Sequence, residues 1–451
     1  MNRFKAVWLN LDSSLWFVPT LMVLAALGAA YGLVHLDLYV GGGWTRRYPL
    51  LFGAGAAGAR GMLSAIASSM ITVAGLIFSL TLATLAQVAS QYTSRLLRNF
   101  MRDRTNQVVM GFFVSIFVYC LVVLRTIRGS DEGSFVPSLA VAFGLLLALV
   151  SIGMLIFFIH HIASSIQAAN IVARVAAETE ELLDKVFPER LGDAATPTEH
   201  ASLAAGPDLH WQPLPAPTTG YVQGIDYDEL LAFAHRAGVV VRIEHAIGSF
   251  VVAGSALASV ATPEGQSLPA TDQLTKSLAD CYRMGDQRTL DQDVGFGLRQ
   301  LVDIALKALS PGINDTTTAV MCVDRLGSLL RVLAGRYLAS SVRAEDGQVR
   351  VLTTDPDFAS YLATAFDQIR ANAKTALAIY LRLLGALGTV AAQCPAGAGR
   401  TALRQQADLA LAAAEANLTT PYDLDQVHAR YRELQVELLA PQSSVRIHTQ
   451  N

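Results

Sequence analysis

The sequence carries little charge for its length. Charged residues make up 16% of the 451 residues, against about a quarter in ordinary soluble domains. Cysteine is also scarce: the four cysteines lie far apart and form no C-x-x-C pair. This pattern excludes a disulfide-dense scaffold and gives no zinc signature, so we expect reduced thiols and no bound metal.

Sequence motifs of enzymes are missing as well. We find no G-x-S-x-G, no H-E-x-x-H, no G-x-x-x-x-G-K and no pair of acidic residues at a spacing typical of catalysis. The part of the chain that looks soluble is acidic, which argues against a basic surface for nucleic acid. We therefore expect no enzyme, no cofactor and no nucleic-acid partner.

Apolar residues are abundant instead, and they fall in four long runs. Hydrophobic residues make up 52% of the chain, and runs of about 20 apolar residues can cross a bilayer as helices. The first run is too long for the core of a cleaved signal peptide and lacks an A-x-A-like cleavage site, so we expect it to be retained. We predict membrane spans at about 15–36, 62–90, 107–127 and 138–163.

Charge is divided unequally along the chain. Residues 1–170 carry 11 basic and 5 acidic side chains, whereas residues 171–451 carry 23 basic and 32 acidic ones. Basic residues beside apolar runs mark the cytoplasmic side of a membrane, and the densest basic cluster follows the second run. The pattern predicts a multi-pass membrane protein with both termini in the cytoplasm.

The predicted fold is an α-helical polytopic membrane protein with a mostly α, partly β cytoplasmic C-terminal domain. Within that domain, Asp226 and Gly238 are expected to begin and end one helix. A hairpin is expected over residues 341–353. The predicted regions are a transmembrane domain at 1–165, a helical extension and linker at 166–217, a small β-rich module at 218–262 and a helical domain at 263–451.

The second run has one face of small and weakly polar residues. On a helix with 100° between successive residues, this face contains Ser68, Thr72, Gly75, Ser79, Ala83, Ala86, Ser90 and Ser94. The opposite side carries large apolar residues such as Leu63, Met70 and Ile77. Small faces of this kind either pack closely against other membrane helices or line an aqueous path, and the sequence leaves both interpretations open.

A basic segment follows this face. A helix from Gly61 to Arg95 would be about 50 Å long, well beyond a hydrocarbon core of about 30 Å. Its end should therefore emerge into water and place a basic collar at the inner mouth of any path. The collar consists of Arg95, Arg98, Arg102 and Arg104.

A turn in the C-terminal region is a second candidate site. Asn314, Asp315 and Thr316 follow the helix-breaking Pro311 and open a new helix. The N–H groups at the start of a helix can hold a ligand or an ion. Capping of the helix explains the same residues without any ligand.

Two stretches resemble a known family. FSLTLATLAQVASQYTSRLLRNFMRD includes Ser90, Gln91, Tyr92, Ser94 and Arg95, and ALSPGINDTTTA includes residues 310–316. Both resemble the bacterial predicted integral membrane proteins catalogued as a domain of unknown function (two-two-five-four). The resemblance implies several membrane spans and a cytoplasmic C-terminal region, and it implies nothing about chemistry.

These features predict a homo-oligomeric ion channel or pore in the lipid bilayer. The second span would line the path of small ions, and the C-terminal region would regulate it. Charges inside the apolar runs are few, which does not fit an ion-coupled carrier. The alternative is a non-conducting membrane sensor or scaffold whose cytoplasmic domain binds a ligand or a partner.

Overall fold

Four apolar helices form the first of two units in this computed structural model. The structure describes residues 16–40, 55–91, 103–129, 135–187, 193–194, 210–262, 271–336, 342–345 and 348–439. The first unit ends at Asn170 and the second begins at Ile171. All four helices are long and apolar enough to cross a membrane, as predicted. They are α1 (Phe17–Val40), α2 (Ala56–Gln91), α3 (Arg104–Thr126) and α4 (Ser138–Ser165).

Helix α3 is the centre of this unit. It contacts each of the other three helices, and its side chains Phe113, Ile116 and Tyr119 are fully buried. Gly111 allows α1 to approach closely, since a Cβ atom at this position would lie 2.9 Å from the Cα atom of Pro19. The apolar faces of the four helices therefore form one hydrophobic core around α3.

Helix α2 begins earlier than predicted, at Ala56 instead of residue 62. The added turn is rich in alanine, which has the highest helix propensity. Arg60 lies in this turn and donates a hydrogen bond of 2.8 Å to the carbonyl of Ile127, the residue that caps the C-terminus of α3. A basic side chain at this place stabilises the negative end of the α3 dipole.

The second unit combines two small sheets with helices. The larger sheet has the strand order β1-β8-β9-β4-β6-β2, and the smaller sheet has the order β5-β3-β7. Neighbouring strands are antiparallel except β4 and β9, which pair in parallel. The strands are β1 (Asp193–Ala194), β2 (Gln212–Pro215), β3 (Gly220–Ile225), β4 (Val240–Ile243), β5 (Phe250–Val251), β6 (Ala256–Ala261), β7 (Tyr282–Gly285), β8 (Val342–Glu345) and β9 (Gln348–Leu352).

The helices of the second unit form its larger part. Helices α8 to α13 pack on one another in a bundle, and α6 and α7 pack beside the sheets. The helices are α5 (Ala168–Val186), α6 (Tyr227–Ala237), α7 (Thr271–Cys281), α8 (Val294–Ala308), α9 (Thr316–Ala334), α10 (Phe358–Asn372), α11 (Leu377–Ala391), α12 (Ala398–Asn417) and α13 (Pro421–Leu439).

The β-structure extends beyond the predicted module at 218–262. Strand β2 precedes this module, and β7, β8 and β9 follow it, within the region predicted to be helical. Pairing of β4 with β9 joins the two predicted regions in one sheet. The predicted hairpin is confirmed by the antiparallel pair β8–β9, and the predicted helix between Asp226 and Gly238 is confirmed by α6.

Candidate functional site

The small-residue face of α2 points away from the other three described helices of its unit. Leu63, Met70 and Ile77, on the opposite side of α2, are buried in the core of the unit. A Cβ atom added to Gly75 would meet no other atom within 4 Å. The described residues of the face are all exposed, namely Ser68, Thr72, Gly75, Ser79, Ala83 and Ala86.

Other exposed surfaces of the same unit differ in composition. Helix α4 exposes Leu149, Ile152 and Ile156, which are large apolar side chains of the kind that suit lipid tails. Helix α1 likewise exposes Leu21 and Leu24. The small face of α2 therefore stands out from the lipid-compatible surface. Large exposed residues of α2 are Leu76 and Leu82 at the two edges of this face, and Ile71, Phe78 and Leu80 farther round the helix.

The threonine hydroxyls of α2 are bonded to the backbone of the same helix. Thr72 Oγ1 donates to the carbonyl of Ser68 at 2.8 Å, and Thr84 Oγ1 donates to the carbonyl of Leu80 at 2.9 Å. A hydroxyl bonded in this way is stable in an apolar environment. Its oxygen can still accept a hydrogen bond, so the face offers weak acceptors and little bulk.

Several predicted site residues lie partly or wholly outside the described part of the chain. Ser90 belongs to α2, but its side chain is outside the described residues, as are Ser94 and the collar residues Arg95, Arg98 and Arg102. Arg104 is described: it is the first residue of α3, and it is exposed.

Polar contacts at one end of the helices join α1 to α4, and sequence reasoning missed them. The carboxylate of Asp37 accepts hydrogen bonds from the N–H groups of Leu139 and Ala140, each at 3.1 Å. Asp37 therefore caps α4 from a different helix. The residues are about 100 positions apart in sequence, so no local pattern indicates the contact.

A second polar contact lies at the other end of α4. Asp103 caps α3 by accepting the N–H of Thr105 at 2.9 Å, and its second oxygen lies 2.8 Å from Nε2 of His161. These contacts fix the ends of the helices and involve none of the described residues of the small face of α2.

The predicted turn at residues 314–316 caps a helix. Asp315 accepts hydrogen bonds from the backbone N–H of Thr318 at 3.0 Å and from its hydroxyl at 2.5 Å. These bonds hold the pKa of the Asp315 carboxyl below its usual range. Asn314 has a left-handed backbone with φ of 49°, and Thr316 is the first helical residue. Capping accounts for these contacts, and a ligand at this turn stays a prediction.

Comparison with known proteins gives matches along most of the chain. The model of the family described as "Predicted membrane protein (DUF2254)" matches residues 12–389. Uncharacterized protein MT1328 of Mycobacterium tuberculosis (strain CDC 1551 / Oshkosh) is 36% identical over 420 residues, covering 92% of this chain and 79% of that protein. Uncharacterized protein Mb1321c of Mycobacterium bovis shows the same identity and coverage. No solved structure matches the chain.

Proposed function

This chain belongs to the DUF2254 family of predicted membrane proteins, and from that premise we propose that it is a homo-oligomeric pore for small ions. The pore lies in the bacterial inner membrane, with both termini and the second unit in the cytoplasm. Helix α2 lines the path with its small face, and the second unit regulates conduction.

The exposed small face of α2 carries this proposal. Ser68, Thr72 and Ser79 would gain little from contact with lipid tails, because they offer small surfaces and polar oxygens. Membrane helices bury such faces against protein or expose them to water. In a symmetric ring each copy contributes the same face, and the faces together surround one axis.

Length and charge support the same function. Helix α2 has 36 residues, so it is about 54 Å long and exceeds the hydrocarbon thickness. Arg60 is the one charged residue of α2, and it lies near the N-terminus of the helix. A path lined by hydroxyls and backbone suits passive conduction, whereas ion-coupled carriers keep charged groups at mid-membrane depth.

The alternative is a non-conducting sensor or scaffold in which the same face packs dry against another copy. The hydrogen bond from Thr72 to the carbonyl of Ser68 favours this alternative, because a hydroxyl satisfied within its own helix needs no water. Oligomerisation alone therefore does not separate the two functions, and conduction has to be measured.

The test uses cysteine substitutions on α2 in planar bilayers. Thr72→Cys and Ser79→Cys place thiols on the small face, whereas Ile77→Cys places one in the core and Leu149→Cys places one on the lipid-compatible surface of α4. We expect single-channel currents from the unmodified protein. A charged, water-soluble thiol reagent should reduce the current in the first two variants and spare the two controls.

Two results would contradict the pore. One is the absence of currents under every voltage, calcium and ligand condition. The other is equal reactivity at Leu149→Cys and Ser79→Cys. Thr72→Val provides a further arm, because valine has nearly the same shape without the hydroxyl: a wet path should dewet and close, whereas a packed face should keep its assembly.

A further inference from the structure

Two stretches of the second unit carry no charged residue. Residues 211–225 contain β2, β3 and the loop between them, and residues 246–262 contain β5, β6 and their loop. Neither stretch includes Asp, Glu, Lys, Arg or His. The 23 basic and 32 acidic side chains of residues 171–451 therefore all lie elsewhere in the unit.

The loops of these two stretches lie side by side. The N–H of Ala216 donates to the carbonyl of Ser255 at 2.8 Å, and the N–H of Ala253 donates to Oγ1 of Thr219 at 2.9 Å. Both loops are exposed, so together they form one uncharged tip. The tip consists of residues 217–219 and 250–255.

The tip presents two large apolar side chains to solvent. Phe250 is 54% exposed and Val252 is 55% exposed, whereas Val251 between them is buried. Side chains two residues apart in an extended segment point to the same side. The ring of Tyr221 packs edge to face on Phe250, with the centroids 5.1 Å apart. Phe250 is therefore held in a fixed place beside Val252.

This apolar surface is too small for a stable contact with another protein. The two side chains expose on the order of 200 Å², whereas a stable interface buries about 800 Å² on each partner. Strand β5 lies at the edge of its sheet, but it has only two residues. It offers few backbone hydrogen bonds to a strand of a second copy.

A lipid surface fits the tip better, because the chain is itself held in a membrane. Helix α5 begins at Ala168, three residues after α4 ends at Ser165, so the second unit follows a membrane span almost directly. Linkage within one chain raises the effective concentration of a second contact, and a small apolar surface is then enough. The absence of charge fits as well, because charged side chains oppose entry into a bilayer.

The backbone of the tip is also suited to an apolar environment. Lipid tails offer no hydrogen-bond partners, so N–H groups that enter them have to be bonded within the protein. The N–H of Gly254 donates to the carbonyl of Ala216 at 2.9 Å, and that of Ser255 donates to the carbonyl of Val252 at 3.0 Å. We propose that the uncharged tip inserts Phe250 and Val252 into the lipid surface, at the boundary of headgroups and acyl chains.

Helix α13 exposes apolar residues in a different setting. Val436 and Leu439 are 69% and 72% exposed. However, Arg432 and Glu433 lie four and three residues before Val436 and are exposed too, so charged side chains are its neighbours on the helix surface. Val436 therefore matches Val252 in residue type and exposure but lacks the uncharged surroundings.

The test is quenching of tryptophan fluorescence by brominated phosphatidylcholine, on the full chain in nanodiscs. The four native tryptophans are replaced by phenylalanine, and one tryptophan is added as Val252→Trp or, for the control, as Val436→Trp. We expect bromine near the headgroup end of the acyl chains to reduce the emission of Val252→Trp and to spare Val436→Trp. Val252→Trp should also emit at the shorter wavelength. Neither result depends on conduction.

Further substitutions locate the contact. Phe250→Asp, added to Val252→Trp, should abolish the quenching, because a carboxylate opposes entry into lipid. Tyr422→Asp is the matched control: it places the same charge at an aromatic residue of α13 that is 72% exposed, and the quenching should persist. Both positions are exposed, so equal urea midpoints should show that neither variant unfolds the unit. Salt should not change the quenching, since the tip carries no charge to screen.

Four results would overturn the proposal. Bromine could leave the emission of Val252→Trp unchanged, or it could quench Val436→Trp equally. Emission at short wavelength that bromine does not reduce would show that protein, and not lipid, covers the tip. Quenching that survives Phe250→Asp would place the contact outside the tip.

Discussion

Replacing Gly297 by alanine should destabilise the second unit, because α5 and α8 come very close at this residue. A Cβ atom at Gly297 would lie 2.4 Å from Oγ1 and 2.7 Å from Cγ2 of Thr179. Thr179 is fully buried, and its hydroxyl donates to the carbonyl of Val175 at 2.7 Å. Its side chain cannot rotate away from the new methyl group without losing this bond.

The size of the effect follows from these contacts. Overpacking by one methyl group in a dense core costs about 1–3 kcal/mol, and loss of the Thr179 hydrogen bond adds about 1 kcal/mol. The higher helix propensity of alanine returns about 1 kcal/mol. We expect a net loss of about 1–3 kcal/mol in the free energy of unfolding. Each kcal/mol lost should lower Tm by roughly 2–4 °C.

Urea unfolding of the full chain, followed by tryptophan fluorescence, measures this loss. Trp211 is the one tryptophan after residue 170, and the Arg242 guanidinium lies 4.5 Å above its ring, so its emission should change on unfolding. Replacing the other three tryptophans by phenylalanine leaves a signal from the second unit alone. The change in midpoint multiplied by the slope gives the free-energy difference.

Gly385→Ala is the matched control. Gly385 also lies inside a helix, α11, but its nearest neighbour is the flexible end of Arg430 at 3.8 Å, so alanine should be neutral or stabilising by up to about 1 kcal/mol. Combining Gly297→Ala with Thr179→Ala should cost less than the sum of the single changes, because the clash is removed. Equal stability of Gly297→Ala and Gly385→Ala would refute the reasoning.

Two further predictions concern the cap of α9 and the cysteines. Asp315→Ala should lower the free energy of unfolding by about 0.5–2 kcal/mol, and Asp315→Asn should lower it by less. Because the pKa of Asp315 is lowered on folding, aspartate should stabilise the protein more than asparagine does at neutral pH. This difference should be lost as the pH falls through the folded-state pKa. An advantage unchanged in acid would contradict this. Burial raises the pKa of Cys281 and of Cys322 to about 12, and all four cysteines are buried. Native protein should therefore react slowly with a disulfide reagent at neutral pH and react at four sites in urea; a fast native thiol would contradict the burial.

Local patterns predicted the parts of the fold that depend on neighbouring residues. Asp226 and Gly238 mark the ends of α6 because one accepts the N–H of Glu229 and the other takes a φ of 64°, and both requirements are visible in a short stretch of sequence. The membrane spans were equally clear, because long apolar runs have few other structures open to them. The start of α2 was missed because glycine and alanine near residue 56 resemble a connector.

Long-range pairing could not be predicted in the same way. Val241 pairs with Val351 in parallel, and no periodicity within β4 or β9 identifies a partner so far along the chain. The contact between Tyr227 and Asp355 has the same origin: the phenol comes from the start of α6 and the carboxylate from the segment between β9 and α10. Each residue is ordinary in its own segment, and the arrangement exists only after the strands have paired.

The small face of α2 could be predicted from the sequence only in part. The 100° periodicity placed Ser68, Thr72 and Ser79 on one side, but it could not tell whether this side faces the protomer's own core. Burial of Leu63 and Ile77 on the opposite side settles that point for the single chain. The pore and the packed scaffold then differ in whether the small face of α2 is in contact with water.

A pore and a packed scaffold both require another surface against the small face of α2, since lipid tails solvate leucine better than serine. They differ in what happens to the oxygen atoms there. In a dry contact the Thr72 hydroxyl keeps its bond to Ser68, and loss of that hydroxyl changes little except the packing. In a wet path the same oxygen also accepts from water, and Leu82 at the edge of this face would form the narrow apolar ring at which such a path dewets. Leu82→Ser should therefore raise the open probability of a pore, whereas in a packed scaffold it would only weaken the association of the copies.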